Sequence, residues 1–372
     1  MPSILVVLIT ISLVILIHEL GHFLVAKWVG VKVEEFGLGY PPRIIGKKIG
    51  ETLYSINVLP FGGFVKLFGE QEADLRLKDK LAENLKHRAF FNKGKKKRLA
   101  VIAAGAVMNF VLGMVAFSFV YSWAGIPEKV DYLTIDAVMP NSPAAEVGLQ
   151  AEDRILTIDG REVRQVDEFV KLMDEKKDQE ITLELTAKQG REWNLEQRRT
   201  VAVTPRKDPP EGEGALGILI SNFDNIYYPF WQMPFRGAWV GIQEAISWGL
   251  VIFLGIWTML VQLFTQGIAP QVAGPVGIYR ITAAVSQQGL LALMRFTGIL
   301  SINLAVINIL PFPALDGGRL VFIFLEKVIG RRIKPVIEQW INSIGIIILI
   351  GLMLAVTFRE VLDLLRQFQS HF

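Results

Sequence analysis

The sequence predicts a polytopic α-helical membrane protein: four transmembrane helices, a membrane-associated β-hairpin and one β-rich domain on the outer side of the membrane. Three observations carry this. The 372 residues are 51% hydrophobic with a mean hydropathy of +0.39, high for a soluble chain of this size. Apolar stretches long enough to span a bilayer recur at 3–25, 99–124, 292–313 and 340–358. Between the second and third, residues 127–213 turn acidic and carry short alternating runs such as Ile181-Thr182-Leu183-Glu184-Leu185, the pattern of a small β module.

Taken in order, the first apolar stretch reads as a retained span. No basic region precedes it, since Lys27 is the first basic residue, and no small-residue cleavage site follows it. Residues 26–98 then carry 16 Lys+Arg against 8 Asp+Glu and end in the basic run 93–98, directly before the second span, which marks the cytoplasmic side. Within that segment Tyr54 to Leu67 reads as a hairpin with Gly62-Gly63 at or near its turn. The second span carries Gly105, Ala106, Gly113 and a lone Asn109; small residues let helices approach closely in lipid, and a buried Asn needs a partner there. After the β module come the aromatics Tyr227, Tyr228, Phe230, Trp231, Phe235 and Trp239, a composition suited to a membrane–water interface, and then an apolar stretch at 236–266. These transitions divide the chain into an N-terminal membrane part (1–125), the β module (126–213), an interfacial helix and linker (214–291) and a C-terminal membrane part (292–372).

The net charge of +3 is too small to indicate nucleic-acid binding. Without cysteine there is neither a disulfide nor a thiolate metal site, so a metal must be held by His, Asp or Glu. Two of the four histidines stand in one motif, His18-Glu19-Leu20-Gly21-His22, at the inner end of the first span. On a helix, residues i and i+4 lie above one another, so both imidazoles share a face and supply two converging zinc ligands. Glu19 then lies beside the metal, placed to take a proton from bound water. A catalytic zinc usually has a third protein ligand. Asp316 is the best candidate: it follows an apolar span, and Pro311 and Pro313 break the helix before it. By itself Asp-Gly signals a turn; only its combination with the first motif singles it out.

Bringing Asp316 to the depth and side of His18 and His22 constrains the topology. Span one runs outside to inside and span two returns, so the β module lies outside. Asp316 reaches the inner side only if 236–266 does not cross fully. The loop after it carries Arg319, Lys327, Arg331, Arg332 and Lys334, as an inner loop should. The expectation is therefore four full spans, both termini outside and a non-crossing 236–266 helix, with Gln243, Glu244 and Gln262 as its interfacial polar residues.

This pattern resembles the bacterial site-2 proteases, in particular their RseP-like branch. The first motif is similar to that family's zinc motif, and Asn303, Asn308 and the Pro311-x-Pro313-x-Leu315-Asp316-Gly317 run are similar to its second signature. Gly105-x-x-x-Asn109 and Gly274-Pro275-x-Gly277-Ile278 are similar to its second-helix and linker motifs. The stretch from Val138 through Gly160 looks like one PDZ domain of the circularly permuted bacterial type, where the best-known members carry two. The resemblance implies a zinc metalloendopeptidase of the bacterial inner membrane, with the PDZ domain extracytoplasmic. Its metal would be Zn2+ and Asp316 the third ligand. It would cut transmembrane segments of single-span substrates, of the anti-sigma-factor or remnant-signal-peptide kind, after another protease has made the first cut. The segment around Gly62, Gly63 and Phe64 would be a membrane-re-entrant β-loop whose edge pairs with an extended substrate, while the residues alone favour an ordinary cytosolic hairpin. Asn303 and Asn308 would hydrogen-bond the substrate backbone, or glue helices together. A metal-binding transporter would need ionisable residues spread along a path through several spans, and here they gather at one depth. An inactive scaffold offering only a peptide-capturing PDZ domain would not need Glu19.

Overall fold

A computed structural model of the chain describes residues 3–70, 83–190, 192–210, 212–266, 273–331, 333 and 335–369. Residues 71–82 of the basic segment, 267–272 of the expected linker, and Arg332 and Lys334 of the basic loop lie outside the described residues. The chain separates into two compact units: Met1–Val120 with Gly237–Phe372, and Tyr121–Arg236.

The first unit is helical with one folded hairpin. It holds α1 (Ser3–Trp28), β1 (Val33–Ile49), β2 (Thr52–Leu67), α2 (Lys95–Ala124), and, after the second unit, α5 (Met233–Gln266), α6 (Pro275–Gln287), α7 (Leu290–Ile309), α8 (Asp316–Ile329) and α9 (Pro335–Gln369). Along α1 the buried positions are Val7, Thr10, Val14, His18, Gly21, His22 and Ala26, one stripe at helical spacing, while Ile4, Leu5, Ile9, Leu13 and Leu24 face outward. A helix surrounded by lipid gains nothing by hiding Leu, so the stripe that packs inward is the small and polar one.

Glycines fix the helix crossings. A Cβ on Gly21 would come within 2.7 Å of the Ala104 carbonyl carbon, so α1 and α2 cross at this glycine. On Gly298 a Cβ would lie 2.9 Å from the Phe117 ring, and on Gly113 it would lie 2.6 Å from Ile302. The Ser301 hydroxyl donates to the Asn109 carbonyl at 2.8 Å. With 298 beside 117 and 301 beside 109, α7 runs antiparallel to α2. Helix α5 also follows α2 in the opposite sense, Gly241 packing on Ser118, while a Cβ on Gly249 would lie 3.5 Å from Phe110.

Among the described residues, five helices are long and apolar enough to cross a membrane: Ser3–Trp28, Lys95–Ala124, Met233–Leu263, Leu290–Ile309 and Val336–Arg366. That is one candidate more than the four expected spans. The addition is α5, whose Gln243, Glu244 and Gln262 suggest an interface but are too few to offset the apolar run at 249–261.

The hairpin differs from its expectation in one respect. It reverses at Gly50-Glu51, between Ile49 and Thr52, with Gly50 at φ +61°, and Gly62-Gly63 lies inside β2. Gly50 takes the left-handed conformation a tight reversal needs, which is the same local signal as Gly62-Gly63 and not distinguishable from it by composition. The long hairpin doubles back on itself: residues 33–38 pair with 63–67 and also lie beside 53–56. This leaves 63–67 as an edge. Outward-facing Ile44, Ile45, Ile49, Ile56, Val58 and Leu59 give the hairpin a large apolar surface.

The second unit is β-rich. Its sheet has the order β6-β5-β4-β3-β7, from β3 (Ile126–Val138), β4 (Asp153–Ile158), β5 (Ile181–Gln189), β6 (Glu192–Val203) and β7 (Ile218–Ile226). Two helices complete it, α3 (Pro143–Glu146) and α4 (Val166–Glu175). Alternating residues Leu133, Ile135, Ile155, Ile158, Ile181, Leu183 and Leu185 are fully buried and pack with Phe169 and Met173 of α4. The Ser142 side chain caps α3, accepting from the Ala145 N–H at 3.2 Å.

Candidate metal centre and its cavity

His18 and His22 are brought together by their spacing on α1, and α2 presses on them. A Cβ on Gly105 would sit 2.6 Å from the His18 ring, so only glycine lets the α2 backbone approach the two imidazoles this closely. The His22 Nδ1 lies 2.8 Å from the Val101 carbonyl, whose acceptor character makes Nδ1 the protonated nitrogen and leaves Nε2 free as a ligand atom. On the other ring, Nδ1 of His18 faces the Asn109 amide nitrogen at 3.4 Å, while the Asn109 Oδ1 is buried without a hydrogen bond. Exchanging the amide's O and N lets Oδ1 accept from His18 Nδ1–H, which satisfies both groups and again directs Nε2 inward.

Asp316 arrives from the far end of the chain because of a compact reversal. Helix α7 ends at Ile309, and α8 begins at Asp316. A Cβ on Gly317 would lie 2.6 Å from the Ile309 carbonyl carbon, and on Gly318 one would lie 3.1 Å from that of Phe312, so the glycine pair lets α8 start directly against the loop. Ala314 is held at φ +76°, an unfavourable conformation for a residue with a side chain, and its N–H donates to Asn342 Oδ1 of α9 at 3.3 Å. Gly345 of α9 closes on Pro313.

The three groups converge. Asp316 Oδ2 stands 3.1 Å from His18 Nε2 and 3.2 Å from His22 Nε2, and the two Nε2 atoms are 3.2 Å apart. Ligands about 2.0–2.1 Å from a tetrahedral zinc lie about 3.3–3.4 Å from one another, so this near-equilateral triangle fits one zinc ion. Asp316 Oδ2 is buried and has no hydrogen bond, as expected of an atom whose partner is a metal. Glu19 stands beside the triangle, its Oε2 accepting from the Val65 N–H at 3.1 Å.

These residues open into a cavity of about 280 Å³. Gly63, Phe64 and Val65 of the β2 edge form one wall, Ala314, Leu315, Asp316 and Arg319 another, with Tyr40, Glu70 and Asn342 nearby. Of the sequence-predicted residues, His18, Glu19, His22, Asp316, Gly63 and Phe64 line the cavity. Gly62, Asn303 and Asn308 do not, although Asn308 is buried in α7. Sequence reasoning passed over Val65, Asn342 and Arg319. A polar Asn in an apolar helix was the available signal for Asn342; Val65 acts through its backbone N–H and leaves none.

The chain matches the model of peptidase family M50 over residues 6–352. It is 33% identical over 359 residues, covering 95% of this chain and 97% of the relative, to a protein named as a zinc metalloprotease in Clostridium perfringens. It is 28% identical over 420 residues, covering 92% and 94% respectively, to the regulator of sigma-W protease RasP of Bacillus subtilis. A solved PDZ domain of an SdrC-like protein from Listeria monocytogenes is 23% identical to a part covering 25% of this chain and 90% of that one, with a TM-score of 0.21.

Proposed function

The chain belongs to peptidase family M50, a multi-pass membrane zinc metalloprotease of the RasP-like kind, and from that premise we propose that His18, His22 and Asp316 hold its zinc while Glu19 serves as general base. The observation that carries this is the convergence of three ligand atoms at 3.1–3.2 Å beside the Glu19 carboxylate, which accepts from the Val65 N–H. Bound there, zinc supplies Lewis acidity, lowering the pKa of water and polarising a carbonyl. Glu19 takes the proton from the attacking water and returns it to the departing amine nitrogen. Val101 and Asn109 keep the imidazoles in the tautomer that faces the cavity.

In this reading the substrate is the membrane segment of a single-span protein, an anti-sigma factor or remnant signal peptide already shortened by another protease. A peptide bond inside a helix is shielded, so the segment must be drawn out straight. The 63–67 edge, with Gly63 and Phe64 at the cavity wall, supports pairing with an extended chain by strand addition. Gly62 supports the doubling-back that makes this edge, at φ +85°. Asn308 and Asn303 are proposed as contacts for the substrate further along α7. In the β-rich unit, β7 is a sheet edge, which suits capture of a peptide end by a PDZ-like domain.

The proposed topology keeps four full crossings in the bacterial inner membrane, with the β-rich unit and both termini outside. Since α7 runs antiparallel to α2, the chain between them must cross an even number of times. Helix α6, 13 residues and about 20 Å long, is too short to compensate for a full crossing by α5. Helix α5 would therefore dip into the bilayer alongside α2 without completing a crossing. The chain has no native cysteine, so single cysteines at 264–273 can be labelled with an impermeant reagent from outside; labelling only from the inner side would refute the dip.

The functional test is cleavage of a single-span peptide in liposomes by wild type and Glu19→Gln. The expected result is retained zinc with cleavage lowered by a factor of about 100 or more. Equal cleavage by both would remove Glu19 from the mechanism.

A further inference from the structure

Hydrolysis of a peptide bond creates two charges where there were none. The hydroxyl of water joins the acyl carbon, a proton joins the leaving nitrogen, and at neutral pH the products are a carboxylate and an ammonium group. Inside a membrane-spanning unit, each new charge is costly unless it meets a partner. One pair of side chains lining this cavity has no part in holding the metal: Arg319 and Glu70.

Arg319 lies one helical turn beyond Asp316 on the same helix, and Glu70 follows directly on the 63–67 edge. The two thus reach the cavity from opposite walls, one from the ligand-bearing helix and one from the proposed substrate-presenting strand. Their ion pair joins Arg319 Nη1 to Glu70 Oε1. A guanidinium has five N–H donors, so a single contact to Oε1 leaves capacity for a second carboxylate. About 37% of the Arg319 side chain and 23% of Glu70 remain exposed, and both residues line the cavity. Among the described residues lining it, Arg319 is the sole lysine or arginine.

We propose that the Arg319–Glu70 pair divides around the products, Arg319 taking the new carboxylate and Glu70 the new ammonium, and closes again when they leave. This rests on the peptidase reading above. It keeps these two side chains partnered before the reaction and gives both new charges a partner after it, and it makes Arg319 and Glu70 product-binding residues for the two halves of the cut chain.

The test uses pre-formed product peptides and the zinc-loaded full-length protein, so it needs no turnover. Affinity is measured for an N-terminal product ending in carboxylate or in carboxamide, and for a C-terminal product with a free or acetylated amine. Wild type is expected to prefer carboxylate over carboxamide at least tenfold. Arg319→Gln should cut that preference about tenfold, leaving whatever the metal contributes. Glu70→Gln should move it the other way, strengthening carboxylate binding by freeing Arg319, while abolishing the preference for the free amine. A pair that only braces the fold would make both variants weaken all four peptides alike, and that result overturns the proposal. Equal affinity of wild type for carboxylate and carboxamide overturns it without any variant. Cleavage of the parent substrate by wild type, measured in parallel, tests the peptidase reading separately.

Discussion

The sheet of the β-rich unit and the spanning helices α1 and α7 of the helical unit bury different kinds of residue. In the β-rich unit the fully hidden side chains are Leu133, Ile135, Ile155, Ile158, Ile181, Leu183 and Leu185. In the helical unit the hidden stripe of α7 is Thr297, Gly298, Ser301, Ile302, Ala305 and Asn308, and that of α1 includes Thr10, His18, Gly21 and His22. Water drives apolar area inward at roughly 25 cal/mol per Å² in the first case. Lipid exerts no such drive between helices, so close backbone approach and polar pairing decide what faces inward in the second. A metal site with three polar ligands therefore belongs naturally to the helical unit, where the buried stripes of α1 and α7 already carry small and polar groups.

This contrast can be broken or sharpened by substitution, and the largest effect is expected at Gly105. Gly105→Ala puts a methyl group against the His18 ring with α2 backbone behind it, and is expected to abolish bound zinc and lower cleavage by a factor of about 100 or more, read by metal analysis and peptide turnover. Normal zinc content in this variant would show that α2 does not shape the site. Next comes the water-facing core. Leu183→Ala should cost about 2–5 kcal/mol in the β-rich unit, read as faster amide exchange across β4, β5 and β6 in the full chain, with zinc content unchanged. A smaller loss is expected for Ser301→Ala, which removes the bond to the Asn109 carbonyl; interhelical bonds of this kind contribute about 0.6 kcal/mol. A cost as large as that of Leu183→Ala would mean the helical unit depends on polar pairing far more than the contrast allows.

The smallest effect is electrostatic. Arg88 and Lys27 hold the Glu51 carboxyl down at about 2, well below the usual carboxylate range. A lowered folded-state value stabilises the protein while the carboxylate is ionised, so the contribution is present above pH about 4.5 and is lost as pH falls toward 2. Glu51→Gln should therefore lower thermal stability modestly at pH 7 and make no difference near pH 2, as followed by thermal melts across that range.

Much of the site was legible in the sequence because it is written in side chains at fixed spacing. His18, Glu19 and His22 follow from helical geometry, and the proline-broken helix before Asp316 made it the third candidate. What was hidden acts through backbone or through absence. Gly105 was readable as a point of close helix approach but not as the seat of the two imidazoles, Val65 works through its N–H, and Gly317 and Gly318 let a helix start against its own loop. Of the fold, the helices and the β-rich module were readable from hydropathy and alternation. The hairpin's reversal was not, because Gly50-Glu51 and Gly62-Gly63 present equivalent local signals. The helix at 233–266 was ambiguous for a physical reason: polar residues sparse enough for a span sit on a stretch long enough to be one.

The account depends most on residues 18 and 22 sharing one metal with a residue almost 300 positions away. Zinc stoichiometry in detergent-purified Asp316→Ala tests this directly, with X-ray absorption at the zinc edge on wild type as its reference. The expected result is zinc close to one per chain in wild type, bound by imidazole nitrogen and carboxylate oxygen without sulfur, and a loss of most of that zinc in the variant. Zinc retained at full stoichiometry in Asp316→Ala, with an unchanged absorption spectrum, would contradict it.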